Sequence, residues 1–121
     1  MANYQAKNKR AGDIYLVRAG DRYKIGLTLY IPNRMHTIRA LDDSRAELIH
    51  NVRVDDMAKH EGVLLSRYQD RGLGHEWFSL SDQDVWDVIT YMEQVRDVYA
   101  ASDMEAKRLA VEGIRDAISP A

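Results

Sequence analysis

Four side chains hold most of the chemistry this sequence can offer: Tyr15, Lys24, Arg34 and Glu61. The first two lie in DIYLVRAGDRYKIG, residues 13–26, which reads as a β-hairpin. Its runs Asp13–Ala19 and Arg22–Thr28 alternate apolar and polar residues and are rich in Ile, Leu, Val and Tyr. Gly20-Asp21 between them suits a tight two-residue link. Side chains alternate faces along a strand. Ile14, Leu16, Tyr23, Ile25 and Leu27 therefore share one face, which can pack on a core. Tyr15, Val17, Lys24, Gly26 and Thr28 share the other. With this turn, Ala19 pairs with Arg22, Val17 with Lys24 and Tyr15 with Gly26. The second face then holds a phenol, an amine and a gap where a side chain is missing. An ordinary surface hairpin with an exposed Tyr and Lys would give the same pattern.

Arg34 and Glu61 stand out because each sits where a helix gains little from it. LYIPNRMHTIRAL carries Pro32 at a position suited to a first helical turn, and Met35, Ile38 and Leu41 recur at a helical interval. The spacing predicts a helix over about 32–41 with Arg34 in its first turn, where a cation opposes the helix dipole. A second helix, about Asp56 to Tyr68 with Asp55 offered as its N-cap, places Met57, Glu61, Leu64 and Tyr68 on one stripe. A carboxylate on an apolar stripe must be paired, bound to a metal or protonated, because burying it alone is expensive. Gly62 beside it costs roughly 1 kcal/mol of helix stability relative to Ala. Two locally unfavourable choices side by side suggest a site. The plainer alternative is a Glu61 at the edge of the stripe, paired with an Arg or Lys.

The chain has 121 residues, enough for one domain with a real core. It has no cysteine, which excludes disulfides and thiolate metal sites. No apolar run approaches membrane-spanning length, and MANYQAKNKRAG is polar and basic rather than a secretory signal. A cytoplasmic protein with no membrane partner is the expectation. The formal net charge is −2, but residues 1–40 hold eight basic against two acidic side chains, a balance of +6 that leaves −8 for the rest. One face can thus attract phosphate while the whole stays mildly acidic, provided the sequence halves are also spatial faces.

The remaining elements follow from pattern. Residues 1–11 read as a basic, flexible arm, in which Lys7, Lys9 and Arg10 are candidate phosphate contacts or simply solvated. Thr28 and Arg39 complete the candidate nucleic-acid-binding set. Ala46–Val54 reads as a third strand with Leu48, His50, Val52 and Val54 on one parity. Asp70–His75 reads as a Gly-rich loop, and Glu76–Leu80 as a short strand or extended segment packing its rings on the core. Ser81 with Asp84 caps a long helix whose Val85, Val88, Ile89, Met92, Val95 and Tyr99 form one apolar face. Ser102 to Glu105 open a last helix in 101–121, expected to dock a protein partner or a second copy of the chain. His36, His50, His60 and His75 show no zinc-ligand spacing, and no Walker A loop or GxGxxG is present.

Taken in order, these motifs resemble the GIY-YIG endonuclease superfamily, in its short phage and bacterial branch. The residues that carry the resemblance are Ile14-Tyr15-Leu16, Tyr23 to Gly26 with Thr28, Arg34, Glu61 with Leu64, and Glu76-Trp77-Phe78 with Leu80, over about residues 12–90. The resemblance implies an α/β fold of the α+β type over residues 12–100, with a small three-stranded antiparallel sheet flanked by helices and a helical tail. It implies an endonuclease that hydrolyses nucleic-acid phosphodiesters, most often DNA, through a single Mg²⁺ or Mn²⁺. Glu61 would hold the metal. Tyr15 would orient or deprotonate the attacking water, and Lys24 would lower the Tyr15 pKa or contact the phosphate. Arg34 would bind the scissile phosphate. The alternative on the same fold is a non-catalytic nucleic-acid-binding or assembly module. The chain departs from the pattern at Asp13, in place of the first Gly, and at Ile38, Leu65 and His75.

Overall fold

The computed structural model describes residues 9–97. Lys7 and the whole of the expected 101–121 helix lie outside the described residues.

The hairpin forms where its alternation predicts. Strand β1 runs Gly12–Ala19 and β2 Arg22–Thr28, paired antiparallel with Ala19 opposite Arg22, Val17 opposite Lys24 and Tyr15 opposite Gly26. Gly20 supplies the left-handed φ of 63° that the first link position of a II′-type turn requires. Helix α1 follows at Ile31–Leu41, with Pro32 in its first turn where the missing N–H costs nothing. Strand β3, Glu47–Val54, pairs antiparallel with β1 on its far side. Helix α2 spans Met57–Arg67. Its N-cap is Asp56, whose carboxylate accepts from the Lys59 N–H, one residue later than the sequence suggests. After one 3-10 turn, Gln69–Arg71, come β4 (Gly72–Gly74), β5 (Trp77–Phe78) and helix α3 (Asp82–Val95), which opens on the Ser81–Asp84 capping box.

The sheet has five strands, in the order β3-β1-β2-β5-β4, all antiparallel; this corrects the three-stranded expectation, while the α+β class holds. The two extra strands are too short to show a period of two. What makes them strands is pairing: Tyr23 and Lys24 of β2 bond to Phe78 and Trp77, and β4 adds outside them. The Gly-rich stretch therefore reads as a loop until its partner is known.

Both sheet faces are covered, whereas only one was expected to meet a core. Ile14, Leu16, Ile25, Val52 and Val54 pack under α2 and α3 through Met57, Leu64, Val88 and Met92. On the other face Tyr15, Val17, Ala19 and Trp77 pack under α1 through Met35 and Ile38. A bulge in β3 divides its side chains between the two. Leu16 faces His50 but Val17 faces Leu48, so the ladder skips Ile49. Leu48 then joins the α1 side while Val52 and Val54 stay on the α2 side, and the single parity expected for these residues is broken.

Candidate active site

Strand β5 pairs with β2 only at Tyr23 and Lys24, and one further bond joins the Ile25 N–H to the Glu76 carbonyl. Past that point the β2 edge has no strand beside it among the described residues. A cavity of about 330 Å³ opens there, lined by Tyr15, Lys24, Arg34, Asp42, Glu61 and Glu76 together with Leu27, Thr37, Ile38 and Leu41. The elements that deliver the first four are β1, β2, α1 and α2. Arg34 comes from the helix on one face of the sheet and Glu61 from the helix on the other. Both line the cavity at this open edge.

Gly26 has a specific reason to be glycine. A Cβ there would overlap the hydroxyl and ring of Tyr15. The gap opposite Tyr15 is thus filled by Tyr15 itself, whose phenol lies over the Gly26 backbone. Tyr15 is 2% exposed, and its hydroxyl has no hydrogen-bond partner among the described residues. Burial pushes the phenol up to about 12; Arg34 pulls the other way, and Glu76, Glu61 and Asp42 add to the rise. At neutral pH Tyr15 is a phenol, able to donate or accept one hydrogen bond, and not a phenolate base.

Lys24 is 8% exposed and already committed. Its Nζ donates to the His75 carbonyl at 2.7 Å and pairs with Asp42 Oδ2 at 3.3 Å, and the Trp77 ring lies 5.4 Å away. It ties β2 to the turn before β5 and to the end of α1. Arg34 has no direct ion pair or side-chain hydrogen bond among the described residues, so its donors remain available to a ligand. Glu61 is half-buried. Burial first, then the neighbouring charge of Glu76, pushes its carboxyl up to about 7, against the opposing pull of Arg34 and Lys24. Of the alternatives for this carboxylate, a direct salt bridge is not present among the described residues. Gly62 has open space where a Cβ would be added, so packing does not explain it.

The other candidate residues lie elsewhere. Thr28 is buried, and its Oγ1 accepts from the Tyr30 N–H at 3.2 Å in a local turn. Arg39 donates from Nε to the Ala46 carbonyl at 2.9 Å, fastening α1 to the start of β3. Lys9 pairs with Asp55 at 2.9 Å, and the Arg10 carbonyl accepts from the Met57 N–H, so this end of the basic arm is held against the α2 N-terminus. Asp13 stands opposite Arg53 in the ladder, away from the cavity. Sequence reasoning missed Asp42 and Glu76 as cavity residues. The Glu76-Trp77-Phe78 motif was the available signal for Glu76, but nothing in it announces the left-handed backbone at His75 (φ 54°) and Glu76 (φ 66°) that sets its direction.

Among the described residues no three or more His, Cys, Asp or Glu side chains are placed to hold a metal ion together, and no helix among them is long and apolar enough to cross a membrane. No curated protein and no solved structure matches the chain. The T5orf172 domain family matches residues 6–99, from the basic arm through all five strands and α3. The chain belongs to the T5orf172 domain family.

Proposed function

We propose that this chain is a metal-dependent endonuclease of the GIY-YIG kind, acting on DNA phosphodiesters at the cavity beside Gly26. Membership of the T5orf172 domain family supports a nuclease-like or nucleic-acid-interacting role in general. The observation that carries the finer reading is the convergence of Tyr15, Lys24, Arg34 and Glu61, from four separate elements, on one cavity.

The charges of that cavity favour a cation before a phosphate. With both glutamates ionised, Lys24 and Arg34 face Asp42, Glu61 and Glu76, a balance of −1. A phosphate would be repelled; one divalent cation turns the balance to +1. The donor set fits Mg²⁺ or Mn²⁺: a half-buried carboxylate at Glu61 whose ionisation is held back by burial and by Glu76, with no larger ligand cage. Mg²⁺ typically keeps several waters and binds through one or two carboxylates plus substrate phosphates. When bound, such an ion supplies Lewis-acid stabilisation of charge on the phosphoryl oxygens.

The protein's own groups account for the rest. Arg34, whose guanidinium has no partner among the described residues, binds the non-bridging oxygens of the scissile phosphate and stabilises the charge that builds there. Tyr15, fixed over Gly26, hydrogen-bonds the attacking water and sets its line of approach. Its high pKa makes orientation, rather than proton removal, its task. Lys24 holds the cavity wall through His75 and Asp42.

The test is nicking of supercoiled plasmid DNA with Mg²⁺, with and without EDTA, for the protein and its Y15F, R34A and E61A variants. The reading requires Mg²⁺-dependent nicking that all three substitutions reduce at least about 100-fold. Nicking that survives Y15F and E61A would remove this cavity as its source. Binding without cutting of any DNA or RNA would leave the non-catalytic module.

A further inference from the structure

Glu76 has no role in the sequence resemblance beyond its place in a motif, yet three observations bring it into the site. It sits in a backbone conformation that L side chains avoid. His75 and Glu76 take consecutive positive φ values of 54° and 66°. The turn is held from β2: Lys24 Nζ donates to the His75 carbonyl at 2.7 Å, and the Ile25 N–H donates to the Glu76 carbonyl at 3.3 Å. Strained backbone at a functional site persists only where its surroundings over-determine it.

The cavity carboxylates also differ in what they already hold. Asp42 is paired with Lys24 at 3.3 Å. Glu61 and Glu76 have neither an ion pair nor a side-chain hydrogen bond among the described residues. The Glu76 charge acts on the Glu61 carboxyl. The third observation is the Tyr15 hydroxyl, which belongs to a residue 2% exposed, has no partner among the described residues, and lines the same cavity. No fully buried side-chain N or O among the described residues lacks a partner, so this hydroxyl itself reaches the cavity's solvent and is open to hydrogen-bond a water of the ion's shell.

We propose that Glu76 is the second carboxylate of the divalent-cation site, so that Glu61 and Glu76 hold the ion jointly, with water and substrate phosphate completing its shell. The inference rests on the metal-dependent reading above and adds the residue which that reading lacks. It also gives Lys24 a purpose. As the donor to His75, Lys24 is a positioning residue that keeps the turn, and with it Glu76, aimed at the cavity. Two carboxylates are the upper end of what Mg²⁺ usually takes from protein when phosphate supplies the remainder.

The test is Mn²⁺ binding to the full chain without nucleic acid, followed by the loss of the free-ion EPR signal, for the protein and for E61Q, E76Q, E76N and E47Q. Asn tolerates left-handed backbone, so E76N keeps the question answerable should E76Q fold poorly. Expected is one Mn²⁺ site, displaced by Mg²⁺. E61Q and both Glu76 variants should each weaken it roughly tenfold or more, at least the loss typical of removing an outer-shell partner. E47Q, on an exposed carboxylate of β3 outside the cavity, should leave it unchanged. Mn²⁺ bound as tightly by E76Q or E76N as by the parent, or no Mn²⁺ bound by the parent, would overturn the proposal. Plasmid nicking by the parent, run in parallel, reports separately on the nuclease reading. A parent that binds Mn²⁺ through both glutamates but cuts nothing would refute that reading and leave the cation site standing.

Discussion

Glu61→Gln should stabilise the protein above neutral pH while removing the proposed nicking activity. The sign follows from linkage. The carboxyl is raised from its ordinary 4.5 to about 7 in the folded protein, chiefly by burial. A raised acid binds its proton more tightly when folded, so its contribution to stability is present below pH 4.5 and is lost as pH rises through about 7. At 1.36 kcal/mol per pKa unit the full shift would amount to about 3.4 kcal/mol. Glu61 is only half-buried, and solvent screening reduces this to about 1–2 kcal/mol. Gln has the shape of the protonated acid without the charge. E61Q should therefore gain about 1–2 kcal/mol at pH 8 and close to nothing at pH 4.5. Since 1 kcal/mol moves Tm by about 4–8 °C in a domain of this size, the gain is readable by thermal melts and by urea midpoints, both in EDTA. Equal or lower stability of E61Q at pH 8 would refute the reasoning, because Glu61 would then be satisfied by the protein and not held in reserve for a ligand. Mg²⁺ should narrow the difference by stabilising the parent and not the variant.

Other substitutions test separate parts of the account. Gly26→Ala should cost about 1–3 kcal/mol in urea unfolding through overpacking, and it should abolish nicking by displacing the Tyr15 phenol; wild-type nicking by a folded G26A would show that the phenol's position is irrelevant. Gly62→Ala, with open space at its Cβ, should raise stability by about 1 kcal/mol, and a loss of DNA affinity measured by fluorescence anisotropy would mean that the space is used by substrate. Tyr15→Phe should keep the melting temperature within a few degrees but lose nicking, and the parent's rate between pH 7 and 9 should show no ionisation of Tyr15, whose pKa is about 12. Lys24→Met should destabilise the fold, since it strands the His75 carbonyl and Asp42, and should weaken Mn²⁺ binding although Lys24 touches no ion.

The hairpin was legible in the sequence because alternation, turn chemistry and length agreed, and its register followed from Gly20-Asp21 alone. Glu61 and Arg34 were legible as misfits, each breaking a local rule of its helix. Three things were not. Strands β4 and β5 are too short to show periodicity, and their pairing with Tyr23 and Lys24 is a tertiary event. The β3 bulge changes the facing of Leu48 without any Gly or Pro to mark it. The gap at Gly26 read as room for a ligand, whereas it is room for Tyr15, a distinction that depends on how deeply α1 buries that face. The site was thus readable as a set of residues but not as a balance of charges, because Asp42 and Glu76 join it only through folding.

On the proposed function, the cavity beside Gly26 receives a divalent cation and one DNA phosphate. This is tested most directly by an anomalous difference map from crystals of the Y15F protein grown with Mn²⁺ and a short DNA duplex. Expected is one manganese peak in contact with the Glu61 carboxylate and a DNA phosphate oxygen, with the Arg34 guanidinium on that same phosphate. Ordered DNA whose phosphates pass elsewhere, with no manganese at Glu61, would contradict it.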